Sequence, residues 1–337
     1  MNTYELISHI EQTALPEIAA SWDASGIQLA GDRQEVRNLA VALDPSEQVL
    51  HSALDWGADF VLTHHPLTLK PKLPQKGDSF FKIVSSLMKK GAWLYAAHTS
   101  LDSQPNGPVS WLAKDLGLLD PEIIEPTYKK RSIKLRLPST EQEAPSLKNI
   151  SQRDDVLEAR TCADNYLEIL CWEDHVTQIK ELIQKRFSPA WIEAQELLAP
   201  QKDFGLGCIG NLPKTLTWKE FAARLTRALA HSRFKCAGVL PDTVSKVAYC
   251  PGSGAFLINQ AFAAGAQIYI TGDLKYHEAQ EIDQGLVIDA GHFLLEEIMM
   301  QRFALQLKAE LEAKNVDVQF FAGSDALQIL DLDQSEY

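Results

Sequence analysis

The sequence predicts an α/β fold in which two similar lobes flank a small α+β insertion. Three observations lead to this fold class. Strands and helices alternate near both ends of the 337-residue chain, the two ends share motifs in the same order, and the middle is more charged and lacks those motifs. Such alternation is typical of a largely parallel sheet. We expect a first lobe at residues 1–124, an inserted domain at 125–204 and a second lobe at 205–337.

The first lobe is predicted to alternate helices with short buried strands. Its apolar runs are continuous and shorter than most helices, which favours strands covered on both faces. Ser46 is placed to cap the helix that follows the first run. The second run ends at His64 and His65, and the third ends at His98. The predicted helices cover residues 4–13, 46–56 and 80–90, and the predicted strands cover residues 38–44, 59–63 and 92–97.

The inserted domain is predicted to combine strands with one helix. Residues 132–137 alternate apolar and charged side chains, as in an exposed strand. We expect further strands at 166–172 and 191–198, with a helix at 175–186 between them. Proline and glycine at residues 121–126 and 200–210 indicate hinges on either side of the domain.

The second lobe repeats the organisation of the first. A P-G-S-G turn at residues 251–254 follows its first strand, and His292 opens a long final helix. The predicted strands cover residues 244–250, 267–271 and 286–290, and the predicted helices begin near residues 255, 276 and 292.

Motifs recur between the lobes in the same order and at similar spacing. Strand-turn-helix patterns shared by any α/β protein would explain the valine-rich runs, but not the two His-x-x-x-carboxylate pairs. We therefore interpret the lobes as an internal repeat. The matching motifs are V-A-L-D-P-S at Val41 and V-A-Y-C-P-G at Val247, G-A-D-F-V-L-T at Gly57 and G-A-Q-I-Y-I-T at Gly265, and H-T-S-L-D at His98 and H-F-L-L-E at His292.

Imidazoles and carboxylates at the ends of predicted strands indicate a metal site. Side chains at i and i+4 share one face of a helix, and α/β proteins place their sites at the carboxyl ends of parallel strands. Either pair alone would more often be a surface ion pair or a helix cap. Together with the double histidine and the repeat, they favour metal binding. The expected ligands are His64, His65, His98, Asp102, His292 and Glu296.

The adjacent histidines favour two ions over one. His64 and His65 would point in opposite directions on an extended backbone, so each is expected to serve its own ion. A carboxylate such as that of Glu296 could bridge ions ~3.5–4 Å apart. Mixed imidazole and carboxylate ligands suit divalent Zn, Fe, Mn or Ni.

Further candidates surround the expected ligands. His277 could shuttle protons, contact substrate or support a ligand, although it could also be an ordinary surface histidine. The turn at 251–254 could bind a substrate phosphate through backbone N–H groups, although its glycines could be there for steric reasons. We predict catalytic roles for His277 and His98. We predict substrate binding by Gly252, Ser253, Gly254 and Asp273.

Composition excludes several classes of function. The formal net charge is −13 and no long basic run is present, so a nucleic acid partner is not expected. Five widely spaced cysteines without C-x-x-C indicate a reducing compartment. The N-terminus has no signal-peptide pattern and no apolar stretch has membrane-spanning length, so we expect a cytoplasmic protein. The sequence contains no G-x-S-x-G motif and no cysteine next to a plausible base, so it does not predict a nucleophilic triad.

The assembled motifs resemble those of the Ngg-interacting-factor-three-like family, also labelled GTP cyclohydrolase I type 2 homologues or dinuclear metal-centre proteins. The resemblance covers about residues 1–119 and 205–303. It is carried by S-W-D-A-S-G-I-Q-L-A-G, G-A-D-F-V-L-T-H-H-P-L, A-H-T-S-L-D, G-S-G, I-T-G-D-L-K-Y-H-E-A and I-D-A-G-H-F-L-L-E.

The resemblance implies a dinuclear centre, two lobes that face each other and a ring-shaped homohexamer. It also implies that the short insertion is a reduced ferredoxin-like unit. The implied ligands are His64, His65, Asp102, His292 and Glu296, with His98 close by or ligating.

The leading functional hypothesis is a metal-dependent hydrolase of a small nucleotide-like or phosphorylated substrate, of the GTP cyclohydrolase type by family label. Two divalent ions per chain would activate water. The alternative is a non-enzymatic scaffold or regulator whose ions are structural or sensory. An open coordination position would favour the enzyme, and fully ligated ions would favour the scaffold.

Overall fold

The computed structural model describes residues 1–138, 148–153, 155–162 and 165–328. The predicted α/β fold is confirmed. The chain forms two compact units: the larger contains Met1–Thr127 and Gly205–Tyr337, and the smaller contains Tyr128–Phe204. Within the described ranges, no helix combines the length and the apolar composition that a membrane crossing requires.

The helices and strands are numbered in chain order. The strands are β1 (Gly26–Leu29), β2 (Asn38–Ala42), β3 (Phe60–Thr63), β4 (Trp93–Ala96), β5 (Leu119–Pro138), β6 (Val156–Cys162), β7 (Tyr166–Trp172), β8 (Glu193–Thr217), β9 (Lys235–Gly238), β10 (Thr243–Tyr249), β11 (Ile268–Thr271), β12 (Leu286–Asp289) and β13 (Asp317–Phe320). The α-helices are α1 (Thr3–Glu11), α2 (Glu47–Trp56), α3 (Ser79–Lys90), α4 (Thr99–Asp102), α5 (Trp111–Leu116), α6 (Lys148–Ser151), α7 (Val176–Phe187), α8 (Trp218–Leu229), α9 (Ile258–Ala263), α10 (Tyr276–Gln280) and α11 (His292–Leu311).

The first lobe contains a five-stranded sheet in the order β1-β4-β3-β2-β13. The last four of these strands are parallel, and β1 is antiparallel to β4. Helices α2 and α3 pack on one face, where Leu50, Val61 and Leu87 are buried. Ser46 caps α2 by accepting a hydrogen bond from Val49 N, as predicted.

The second lobe repeats this arrangement with strands in the order β8-β10-β11-β12-β9. Strands β10, β11 and β12 are parallel, and β9 is antiparallel to β12. The series β1-β4-β3-β2 and β9-β12-β11-β10 therefore have the same order and directions. The hydrogen bonds just beyond the ends of these strands also correspond. Ala97 N donates to Thr63 O and Ala290 N donates to Thr271 O, each at 2.8 Å. This shared topology agrees with an internal repeat.

The last strand departs from the simple division into two lobes. β13 pairs in parallel with β2, with Val318 opposite Leu39. It follows α11, within the segment assigned to the second lobe. The end of the second segment therefore completes the sheet of the first lobe.

One hydrophobic core serves both sheets of the larger unit. Leu39 and Leu62 of the first sheet share a buried cluster with Val247 and Ile270 of the second. Helix α11 contributes to the same cluster along most of its length. Full burial of a large apolar side chain stabilises the fold by roughly 1.5–3 kcal/mol, so this core couples the lobes strongly. Its α11 residues include Leu295, Met299, Phe303 and Leu307.

The smaller unit has antiparallel strands in the order β6-β7-β5. Leu135, Ile169 and Ile183 belong to its core, to which α7 contributes. The strand predicted at residues 132–137 is present, but it is not exposed. Leu135 and Leu137 are fully buried because their face of the strand carries this core.

The hinges predicted at residues 121–126 and 200–210 stay a prediction. Both segments are extended parts of β5 and β8. In β8, Cys208 and Gly210 lie opposite Tyr249 and Val247 of β10 in an antiparallel ladder. Interstrand hydrogen bonds therefore fix a backbone that its glycine content alone would leave free.

Replacing Tyr249 with phenylalanine should lower the free energy of unfolding by about 1–3 kcal/mol. The buried hydroxyl donates to Val109 O at 2.9 Å and accepts from Ala113 N at 3.4 Å, so its removal leaves buried groups unsatisfied. Urea denaturation followed by circular dichroism measures the change. Tyr276→Phe is the control, since Tyr276 is 72% exposed and should change stability by less than about 0.5 kcal/mol. Equal losses of stability in both variants would contradict a stabilising role for the Tyr249 hydroxyl.

Candidate metal centre

Equivalent strand ends bring the predicted ligands together. One pair of histidines follows β3, a third histidine follows β4, and a fourth opens α11 after β12. The two carboxylates lie one helical turn beyond the third and fourth histidines, on α4 and α11. All six residues belong to the larger unit. They are His64, His65, His98, Asp102, His292 and Glu296.

All four imidazoles are oriented in the same manner. Each has its Nδ1 within 2.7 or 2.8 Å of an oxygen that can only accept a hydrogen bond, so Nδ1 carries the donated proton and Nε2 is left free. A second hydrogen bond of this kind normally orients histidines that bind metals. The pairs are His64 with Ala97 O, His65 with Asp44 Oδ1, His98 with Asp23 Oδ1 and His292 with Asp273 Oδ2.

The Nε2 atoms converge on Glu296. Its Oε2 lies 2.9 Å from His292 Nε2 and 3.1 Å from His65 Nε2, and its Oε1 lies 3.6 Å from His64 Nε2. The Nε2 atoms of His65 and His292 are 3.3 Å apart. Asp102 Oδ2 is 3.7 Å from His64 Nε2. Two groups of three residues could hold a metal ion: His64, His65 and His98, and His65, His292 and Glu296.

Unsatisfied buried atoms show that these residues fit a metal. Within the described residues, His64 Nε2, Asp102 Oδ1 and Glu296 Oε2 are buried without a hydrogen-bond partner. Glu296 Oε2 therefore lies 2.9 and 3.1 Å from two imidazole nitrogens without hydrogen-bond geometry. Leaving such groups unpaired is costly. Lone pairs directed at one another across 3–4 Å are what a cation between them would satisfy.

The neighbouring carboxylates raise the pKa values of His64, His65 and His292 when no metal is bound. Burial alone lowers the pKa of His65, but the adjoining carboxylates of Asp44 and Glu296 outweigh burial and raise it to about 10. Glu296 raises the pKa of His292 to about 9 against the effect of burial, with help from Asp273. Metal binding would therefore release protons.

The two carboxyl groups of the cluster differ. Burial tends to raise the pKa of Glu296, but the charge of His64 and contacts with the other imidazoles hold it well below its usual range. Burial raises the pKa of Asp102 despite the same histidine. Glu296 is therefore the charged carboxylate around which the imidazoles gather.

Two further residues support the cluster, Asp23 and Asp44, and neither was predicted from the sequence. Asp44 follows β2 and so lies at the same sheet edge as His65, a position that could have identified it. Asp23 lies outside any helix or strand and reaches His98 and Thr99 across 75 and 76 residues of sequence. In the sequence, only its place in the motif S-W-D-A-S-G indicated that Asp23 has a role.

The residues predicted to bind substrate also support the cluster. Asp273 Oδ2 accepts hydrogen bonds from Ser253 Oγ and from His292 Nδ1. Gly254 N donates to Thr271 Oγ1, so that N–H already has an intramolecular partner. Gly252 lies directly against the Glu296 carboxylate. Substrate binding by these residues stays a prediction.

Gly272 shows why only the first lobe carries a double histidine. It occupies the position equivalent to His64, and a Cβ there would lie 2.4 Å from His292 N and 2.7 Å from His292 Cα. Only glycine allows the start of α11 to pack so closely. The next residue, Asp273, orients His292 and adds no imidazole.

His277 is exposed on α10, where its ring lies edge-on to that of Tyr276, with centroids 5.6 Å apart. In the part of the chain that the structure describes, no hydrogen bond or ion pair joins it to the cluster. Its catalytic role stays a prediction.

Sequence comparisons identify relatives along nearly the whole chain. The family model described as Duf34/NIF3 (NGG1p interacting factor 3) matches residues 1–326. A Listeria innocua protein named GTP cyclohydrolase 1 type 2 homolog is 28% identical, with 94% of each chain covered. A Bacillus subtilis protein of the same name is 26% identical, with 95% of this chain and 96% of the relative covered.

Solved structures share the fold. The crystal structure of a Bacillus cereus protein related to NIF3 matches with a TM-score of 0.85 and 25% identity, covering 98% of this chain and 99% of that one. A Staphylococcus aureus crystal structure matches with a TM-score of 0.75 and 22% identity, covering 100% and 99%. The similarity thus includes the inserted unit.

Replacing Gly252 with alanine should weaken the binding of a divalent ion about 10-fold or more. Gly252 has a φ of +65°, and a Cβ there would lie 2.3 Å from Glu296 Oε1, so the carboxylate must move. Isothermal titration with Mn²⁺ measures the affinity. Gly265→Ala is the matched control, because Gly265 also has a positive φ (+88°) but its nearest neighbour is Lys246 Cδ at 3.9 Å. Unchanged affinity in the Gly252 variant would contradict metal binding by the Glu296 carboxylate.

Proposed function

The chain belongs to the Duf34/NIF3 family, and from this premise we propose that it is a metal-dependent hydrolase of a small nucleotide-like or phosphorylated substrate. One observation carries the proposal. Four imidazoles have Nδ1 bound to an oxygen, and the Nε2 atoms of three of them, His64, His65 and His292, lie against the buried Glu296 carboxylate. The name of the curated relatives makes guanine nucleotides, and a cyclohydrolase-type reaction, the first substrates and chemistry to test.

We propose that the centre holds two divalent ions. A single Nε2 binds one ion, so His65 cannot serve both of the three-residue groups to which it belongs. Pairing His65 with His292 leaves His64 and His98, together with Asp102, for the other ion. Glu296 faces both sets, since Oε1 is directed to His64 and Oε2 to His65 and His292. Nitrogen and oxygen donors without sulfur suit Zn, Fe, Mn or Ni.

The ions and side chains of the centre have different proposed roles in catalysis. Bound ions would polarise a substrate oxygen and lower the pKa of a water molecule. The four Nδ1 partners hold the imidazoles in position, which keeps the Nε2 atoms directed inward. The exposed His277 is the proposed group for moving protons, and His98, held by Asp23 through Nδ1, would do so only where its Nε2 does not bind the second ion.

Access to the centre is uneven. Glu296 and His64 are buried, whereas the side chains of His65 and His292 are 24% and 32% exposed. A cavity of about 20 Å³ beside Asp102 has room for about one water molecule. Substrate would therefore approach from the side of His65 and His292.

The protein should bind close to two ions per chain. Mass spectrometry of the metal-supplemented protein, or anomalous scattering from its crystals, measures the number and identifies the element. One ion per chain, or none, would refute the dinuclear arrangement. Cys236→Ser, a change at an exposed thiol outside the cluster, should leave the stoichiometry unchanged.

Metal-dependent turnover should be found in a panel of nucleotides and phosphoesters. We expect Glu296→Gln and His64→Ala each to lower it about 100-fold, because each removes a donor from the centre. His51→Ala is the control, since His51 lies on the surface beside Asp55. Activity that survives both changes would refute hydrolysis at this site. Bound ions without turnover on any substrate would favour the scaffold alternative.

A further inference from the structure

Trp22 is a large exposed aromatic residue beside the candidate metal centre. Its side chain is 60% exposed, although tryptophan is highly buried on average. Its ring centroid lies 5.8 Å from that of His98, with the planes at 74°. The imidazole thus touches the indole at an angle and leaves most of its surface in solvent. The proposed chemistry gives this residue no role.

The segment that carries Trp22 is held in place. The adjacent Asp23 accepts hydrogen bonds from His98, from Thr99 N and Oγ1, and from Ser25 Oγ. Ala20 N donates to Thr99 Oγ1 on the other side. These bonds fix the backbone on both sides of Trp22 to the start of α4. The backbone that carries the indole is therefore already ordered, so little backbone entropy would be lost when a ligand packs on Trp22.

Trp22 also lies near a partly exposed imidazole of the centre. It adjoins His98, whose ring centroid is 5.6 Å from that of the partly exposed His65. The cavity beside Asp102 has room for about one water molecule only. A ligand with one group at the metal centre could extend past His65 and His98 to Trp22.

We propose that Trp22 is a stacking platform for a planar heterocyclic ring of the substrate. This rests on the proposed function and narrows its substrate class to molecules that join a nucleobase-like ring to a polar reacting group. A flat indole face pairs well with any base, because every base offers a π-face. The contact would place the heterocyclic ring on Trp22 while the polar group reaches the metal centre.

Equilibrium binding of two probes tests the proposal without requiring turnover. GMP and ribose 5-phosphate share a sugar and a phosphate, and only GMP has a base. With metal-supplemented protein we expect GMP to bind more tightly, and Trp22→Ala to weaken GMP binding about 5- to 100-fold, the range of one base–aromatic contact. Ribose 5-phosphate should bind the variant and the wild type equally.

Two control variants separate stacking from other effects. Trp22→Phe keeps an aromatic face and should retain GMP affinity to within about threefold. Trp191→Ala removes an exposed tryptophan of the smaller unit and should leave GMP binding unchanged.

Three results would overturn the proposal. They are equal wild-type affinities for the two probes, equal loss of both probes in Trp22→Ala, and a change of oligomeric mass in that variant by light scattering. The last would make Trp22 a contact between copies of the chain. Because binding is measured, none of these depends on whether hydrolysis occurs.

Discussion

The buried carboxylate of Glu296 is the constraint on which the arrangement of the two lobes depends. Its side chain is 4% exposed, and an unpaired charge at such a position would cost several kcal/mol. Compensation comes from His292 on the same helix and from His64 and His65 at the end of the first sheet. The lobes must therefore meet at this edge. The shared hydrophobic core makes the same meeting favourable over a much larger surface.

The repeat supplies two equivalent strand ends, but the copies have different tasks. In the first lobe the residues after β3 are imidazoles that point at the cluster. In the second lobe the equivalent Gly272 gives room to the backbone of α11, and Asp273 orients His292. The first copy contributes His64, His65, His98 and Asp102, and the second contributes His292 and Glu296 from a single helix. An asymmetric site can thus arise from a duplicated scaffold when one position changes from a bulky residue to glycine.

Sequence patterns were sufficient for the central parallel strands of both lobes and for most of the cluster. Short apolar runs located β2, β3, β4, β10, β11 and β12, and the residues that end β3 and β4 identified His64, His65 and His98. Patterns failed where long-range pairing decides. Asp23 lies in an irregular segment, and only its contact with His98 shows its use. Residues 208–210 lie in a segment of hinge composition, but the ladder to β10 holds them extended. The place of β13 beside β2 has no local signature.

The pairing of β13 with β2 has a consequence for biosynthesis. β2 ends at Ala42 and its partner begins at Asp317, so the first sheet stays incomplete until residue 320 has left the ribosome. Until then, β2 presents an open row of backbone groups to other nascent chains. A chain terminated after α11 would carry every candidate ligand and still expose that edge. Such a product is the kind of species that chaperones capture, so quality control could remove it.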